Sequence, residues 1–144
     1  MKRITSLLFA VFMLSAFTIK GDPEKDILGK WKVDDASVGS AKKAMIERVR
    51  KINAEQAEQM AGFEGLDDII KGLVYEYKAD GTLDVSAPQG SQSMKWAISA
   101  DHKYLSRTRE DGTSSKDSII SIKPERLIFA DEGTKEKIEF VKAQ

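Results

Sequence analysis

The side chains that carry most protein chemistry are sparse in this sequence. Cysteine is absent from all 144 residues, which removes thiol nucleophiles, thiolate metal sites and disulfides. His102 is the single histidine. It stands between Asp101 and Lys103 in a stretch that reads as a turn, where a solvated side chain is the ordinary outcome. Nothing resembles a nucleophile elbow or a triad signature. Asp80, Asp84, Asp111 and Asp117 do not fall at the spacing of a calcium loop. Carboxylates are plentiful, at 23 Asp and Glu, but no pair is marked by its neighbours for acid–base work. The expectation is a protein that is not an enzyme, with no catalytic residue, no metal and no cofactor.

What the sequence offers instead is apolar and aromatic surface. Tyr75, Tyr77, Met94, Trp96 and Phe129 fall in β-type segments, and Met60 and Phe63 in or beside a helical one. Together they are candidate ligand-binding residues. A cavity with a few tyrosine hydroxyls would hold an apolar, partly polar molecule. The competing expectation is plain core, because small barrels are usually filled by their own side chains. Periodicity does not separate the two.

The first twenty residues differ in texture from the rest. Lys2 and Arg3 precede an apolar run from Ile4 to Phe17, broken only by Thr5, Ser6 and Ser15, and the chain turns polar from Lys20. A basic start, a short apolar centre and small residues at its exit are the parts of a secretory signal peptide. The run is shorter than the roughly 20 residues that span a bilayer. Cleavage after Ala16 or after Thr18 fits equally. The expected domain is then residues 21–144, exported to the periplasm or beyond the cell, with no integral membrane segment. The missing cysteine also removes the attachment point of a lipoprotein. With 23 basic and 23 acidic side chains, the chain has no long-range field to gather nucleic acid.

The elements follow from periodicity. Asp22-Pro23-Glu24 reads as a linker and Ile27 to Val33 as a first strand, with a turn or bulge at Gly29. From Ser40, a fitting N-cap, to about Met60 the texture is helical. Met45, Val49, Ile52, Gln56, Gln59 and Phe63 recur at four- and three-residue steps as one stripe. A second short helix runs from Asp67 to Gly72, a fitting C′ glycine. Beyond it come strands and turns: Leu73–Lys78, an Asp80-Gly81 hairpin, Leu83–Ala87, Met94–Ile98, Tyr104–Arg109, Ser118–Ile122, Leu127–Ala130 and Lys137–Lys142. About eight short strands on short links mean an antiparallel meander, which removes its edges by closing. The fold expected is mainly β: a small up-and-down barrel with a helical insert at about 40–72, between the first and second strands.

Several motifs resemble a family. Leu28-Gly29-Lys30-Trp31 is similar to the Gly-x-Trp opening of lipocalins and their bacterial relatives. Tyr75 to Thr82 resembles the aromatic strand and Asp-Gly-Thr hairpin of small exported lipocalin-like domains of Bacteroidetes-type bacteria, calycin-like barrels. Lys95 to Asp101 and Ile120 to Phe129 resemble that family's second Trp strand and late hairpin. The likeness runs from Ile27 to about Val141, with a longer helical insert than usual. It implies a barrel and small-ligand binding, not a reaction. It also implies that Trp31 plugs one barrel end beneath an arginine. Arg107, on the face of Leu105, is the candidate, with Arg109 and Arg126 as alternatives and surface exposure as its competing fate.

Two functions remain in view. One is a container for a small apolar ligand, with the helical insert as lid, plug or interface. The other is a filled barrel that acts as a protein–protein interaction or inhibitory module, its protein partner unknown.

Overall fold

Alternation along the strands closes the chain into one barrel. The computed structural model describes residues 21–144; the proposed signal segment lies outside the described residues. Eight strands run in chain order, each antiparallel to the next: β1 (Gly29–Val33), β2 (Val74–Tyr77), β3 (Thr82–Ala87), β4 (Gly90–Ile98), β5 (Tyr104–Thr108), β6 (Ser114–Lys123), β7 (Arg126–Asp131) and β8 (Lys137–Lys142). Pairing of β1 with β8, Trp31 opposite Lys142 and Val33 opposite Phe140, removes the last edge. The expected fold class is the one observed.

Helix is concentrated between β1 and β2, as expected, but it is organised differently. A 3₁₀ turn (Asp35–Ser37) leads into α2 (Val38–Arg50), α3 (Ala54–Ala61) and α4 (Leu66–Gly72). Ser40 lies inside α2 and is not its cap. The single stripe is cut at Lys51-Ile52-Asn53, because the Asn53 side chain accepts the Gln56 N–H at 3.0 Å and starts a new helix. Gly72 is the last residue of α4, with Leu73 capping it. The Asp22-Pro23-Glu24 linker is also corrected. Asp22 caps a one-turn helix, α1 (Pro23–Asp26), through the Glu24 N–H, so Ile27 ends a helix and the first strand begins at Gly29.

Three of the turns share one design. In the β2–β3 turn Asp80 accepts the Thr82 N–H, and in the β5–β6 turn Asp111 accepts the Thr113 N–H. The glycine between them stands at φ +88° in both, a value other residues adopt only at a cost. The β4–β5 turn repeats the pattern with His102 at φ 61° in the glycine's place and Asp101 accepting from Lys103. His102 is a solvated turn residue.

Inward positions form one packed core. Trp31, Tyr77, Leu83, Leu105, Leu127 and Phe129 are fully buried, and Val38, Ala41, Ala44, Leu66 and Ile70 of the insert join them. Each large side chain so buried stabilises by about 2 kcal/mol. A bulge between Ile119 and Ser121 resets the phase of β6. The expected face of Ser118, Ile120 and Ile122 is therefore not one face: Ile119 and Ile122 pack inward, while Ile120 is 46% exposed.

Candidate functional site

The inward row also carries polar side chains, and these define the candidate site. Arg107 on β5, Asp117 on β6 and Asp131 on β7 all point into the barrel and are buried. Asp117 and Asp131 stand directly opposite each other across the β6–β7 ladder. Two carboxylates so placed repel, and two guanidinium groups offset their charge. Arg107 Nη1 donates to Asp117 Oδ2 at 2.5 Å, and its Nη2 donates to the Tyr77 hydroxyl at 3.1 Å. Arg48 reaches in from α2. Its Nε donates to Asp131 Oδ1 at 3.0 Å, and its Nη2 bridges Asp131 Oδ1 at 2.5 Å and Asp117 Oδ1 at 3.2 Å. Thr134, in the β7–β8 loop, donates its N–H and hydroxyl to Asp131 Oδ2.

The electrostatics follow from those contacts. Burial alone would push the Asp131 carboxyl up, but the Thr134 N–H and the Arg48 guanidinium outweigh it and hold the pKa below the ordinary value. Burial likewise works against charge on Arg107, and Tyr77 and Asp117 outweigh it and hold its pKa above the ordinary arginine value. Burial pushes the Tyr75 phenol up, against the opposing pull of Arg107. The cluster is thus a set of compensated charges. A general acid needs a carboxyl whose pKa is raised toward working pH, and Asp131 is moved the other way. What the arrangement does is clamp the helical insert to the barrel, aided by Lys43 and Glu136 at 2.9 Å and by Ser37 Oγ, which accepts the Glu139 N–H.

Of the aromatic candidates, Tyr77 and Phe129 lie in the packed core, and Trp96 meets Tyr77 edge-on at 5.6 Å with its indole N–H on the Lys78 carbonyl. Tyr75 is half-buried and meets Phe140 edge-on at 5.2 Å. Met94 and Met60 are partly buried against the same core. Phe63 is not with them: it sits between α3 and α4, 51% exposed.

Trp31 is fully buried, with its indole N–H on the Ile27 carbonyl at 2.6 Å. The cation over its ring is Lys142, at 4.1 Å, and not Arg107, which lies 5.8 Å from the Phe129 ring. Gly29, at φ +114°, lies beside this lysine, and a Cβ there would stand 3.0 Å from its Nζ. Arg109 is exposed, and Arg126 pairs with Glu139 on the outside.

Two grooves of several hundred Å³ open to solvent on the barrel's outer surface. One, of about 350 Å³, lies between Thr82, Lys95, Ser106 and Thr108. The other, of about 370 Å³, lies on the β3–β4 rim beside Val85, Ala87 and Gln92. Among the described residues no group of three or more His, Cys, Asp or Glu is placed to hold a metal, and no helix is long and apolar enough to cross a membrane.

Fold and site together define a closed eight-stranded antiparallel barrel with a helical connection latched over it by ion pairs. No family model matches the chain, and a search of curated proteins finds no match. Among solved structures the chain is similar to a DUF4847 family protein from Bacteroides vulgatus ATCC 8482, with a TM-score of 0.48 and 20% identity over 81% of this chain and 94% of that one.

Proposed function

We propose that this protein is an exported, non-enzymatic binding module of the lipocalin-like kind, whose barrel is a filled support and whose partner meets its outer surface. One observation carries the reading. The interior positions that a ligand would need are taken by Trp31, Tyr77, Leu83, Leu105, Leu127 and Phe129, all at about 2% exposure or less and in one packed cluster. A small-molecule pocket of the usual kind needs several hundred Å³ of concave, mostly apolar space, and the grooves of that size open on the outside. The interior charges support the same reading, being compensated by one another.

The rival reading, a small apolar ligand held in the barrel, is tested together with this one. Native mass spectrometry of protein purified from its own host is expected to give the bare mass of a chain that begins after residue 16 or 18. A small-molecule adduct that persists across preparations would overturn the filled barrel. An intact mass that starts at Met1 would overturn export.

A further inference from the structure

The chain is neutral as a whole, but one side of the barrel is not. Along the adjacent strands β6, β7, β8 and β1 the outward charged side chains are Lys116, Lys123, Arg126, Lys137, Lys30 and Lys32, against one acid, Glu139, which is paired with Arg126. The other two carboxylates of these strands, Asp117 and Asp131, point inward and are compensated there. All six bases are exposed, and the five lysines form no salt bridge among the described residues. Acids occur at the border of this wall. Asp34, Glu125 and Glu132 follow strand ends, Glu24 and Asp26 belong to α1, and Glu76 stands opposite Lys30 on β2.

Strand register gathers the charge. Lys123 is opposite Arg126, and Arg126 and Lys32 are both opposite Val141. Three bases and a valine thus form one row across four strands, about 14 Å wide. Apolar surface lies among the cations: Ile120, at the β6 bulge, is 46% exposed, and Ile128 and Val141 are half-buried on the outer face.

The kind of base and the shape of the wall select the occupant. A protein hot spot wants an aromatic or arginine anchor seated in a pocket. The two grooves described above lie on the β3–β5 side, and the nearby Tyr104, on β5, has the Lys116 ammonium 4.3 Å over its ring. Five of the six bases are lysines, mobile point charges suited to a diffuse charged plane, whereas fixed recognition of carboxylates favours the arginine fork. A convex wall of lysines around one protruding aliphatic side chain matches a flat surface of anionic headgroups over an apolar layer.

We infer that the β6–β7–β8–β1 wall docks the barrel on an anionic lipid surface, with Ile120 entering the headgroup layer. This rests on the outer-surface reading above and names the partner as lipid. Each lysine brought to such a surface strengthens binding by roughly fivefold.

The test is co-sedimentation of the protein of residues 21–144 with vesicles of phosphatidylcholine alone or with about 30% phosphatidylglycerol. Binding to the anionic vesicles only is expected, falling roughly tenfold between about 50 and about 300 mM salt. Lys32→Glu with Lys123→Glu is expected to weaken it by more than about tenfold, and Ile120→Ser by roughly threefold. These side chains are exposed, and an unchanged urea midpoint checks the fold of each variant. Equal binding to both vesicles, full binding by the charge-reversed variant, or no binding at low salt would overturn the inference. So would a soluble glutamate-rich peptide that binds as tightly as the anionic vesicles, since the wall would then serve an acidic protein. These outcomes leave the filled barrel standing, because only a small-molecule adduct removes that.

Discussion

Removing the Arg107 guanidinium would leave the Asp117 carboxylate inside the barrel with Arg48 alone. Arg107 is 8% exposed, and its partners are Asp117 and Tyr77. Breaking a buried ion pair from one side costs about 3 kcal/mol or more, whereas replacing both partners by apolar residues of similar volume costs far less. Arg107→Met is therefore expected to lower the urea midpoint strongly. Adding Asp117→Leu to it should recover a large part of the loss. A double variant as unstable as the single would show that the two charges are not coupled. The same residues show what sequence reading can reach. The shared face of Leu105 and Arg107 was legible from alternation. The destination of Arg107 was not, because Tyr77 lies 30 residues away and Asp117 owes its place to the register of β5 with β6. Arg48 was the hardest of all. On a helix it reads as an ordinary solvated base, and its partners are 69 and 83 residues distant.

Local chemistry decided the elements wherever it was strong. The Asp80-Gly81-Thr82 turn was readable because a glycine at positive φ and a self-capping aspartate specify a hairpin within a few residues. The helical stripe misled for the opposite reason. Met45 to Phe63 keeps helical spacing straight through Lys51-Ile52-Asn53, while the Asn53 cap and its hydrogen bond to Gln56 divide the chain into two helices. Phe63, expected among the interior residues, therefore stands on the solvent side of the insert, 51% exposed. The cap makes a prediction at this scale. Asn53→Ala is expected to cost about 1 kcal/mol and to speed amide exchange in α3, leaving exchange in the barrel strands nearly unchanged. Uniformly faster exchange throughout would show that α3 and the barrel open together.

Taken whole, the molecule is a barrel and an insert joined by a shared apolar core and by a latch of buried charges. Asp131 makes that joint sensitive to acid. Its folded pKa lies below the ordinary value, so the stability it contributes is fully present above the unfolded value near 3.9 and is lost as pH falls through the folded one. The expected result is a urea midpoint that drops more steeply between about pH 5 and about pH 2 in the natural protein than in Asp131→Asn. Parallel curves would show that the carboxylate carries none of the acid response.

Pairing of the first strand with the last sets an order of events. β1 gains β2 on one flank, but its other flank stays bare until residues 137–142 pair with it. That waiting strand is short, and its outward side chains are Lys30 and Lys32, the charged type that discourages stray strand addition at a naked border. The lysines guard a seam that only the final residues can sew shut.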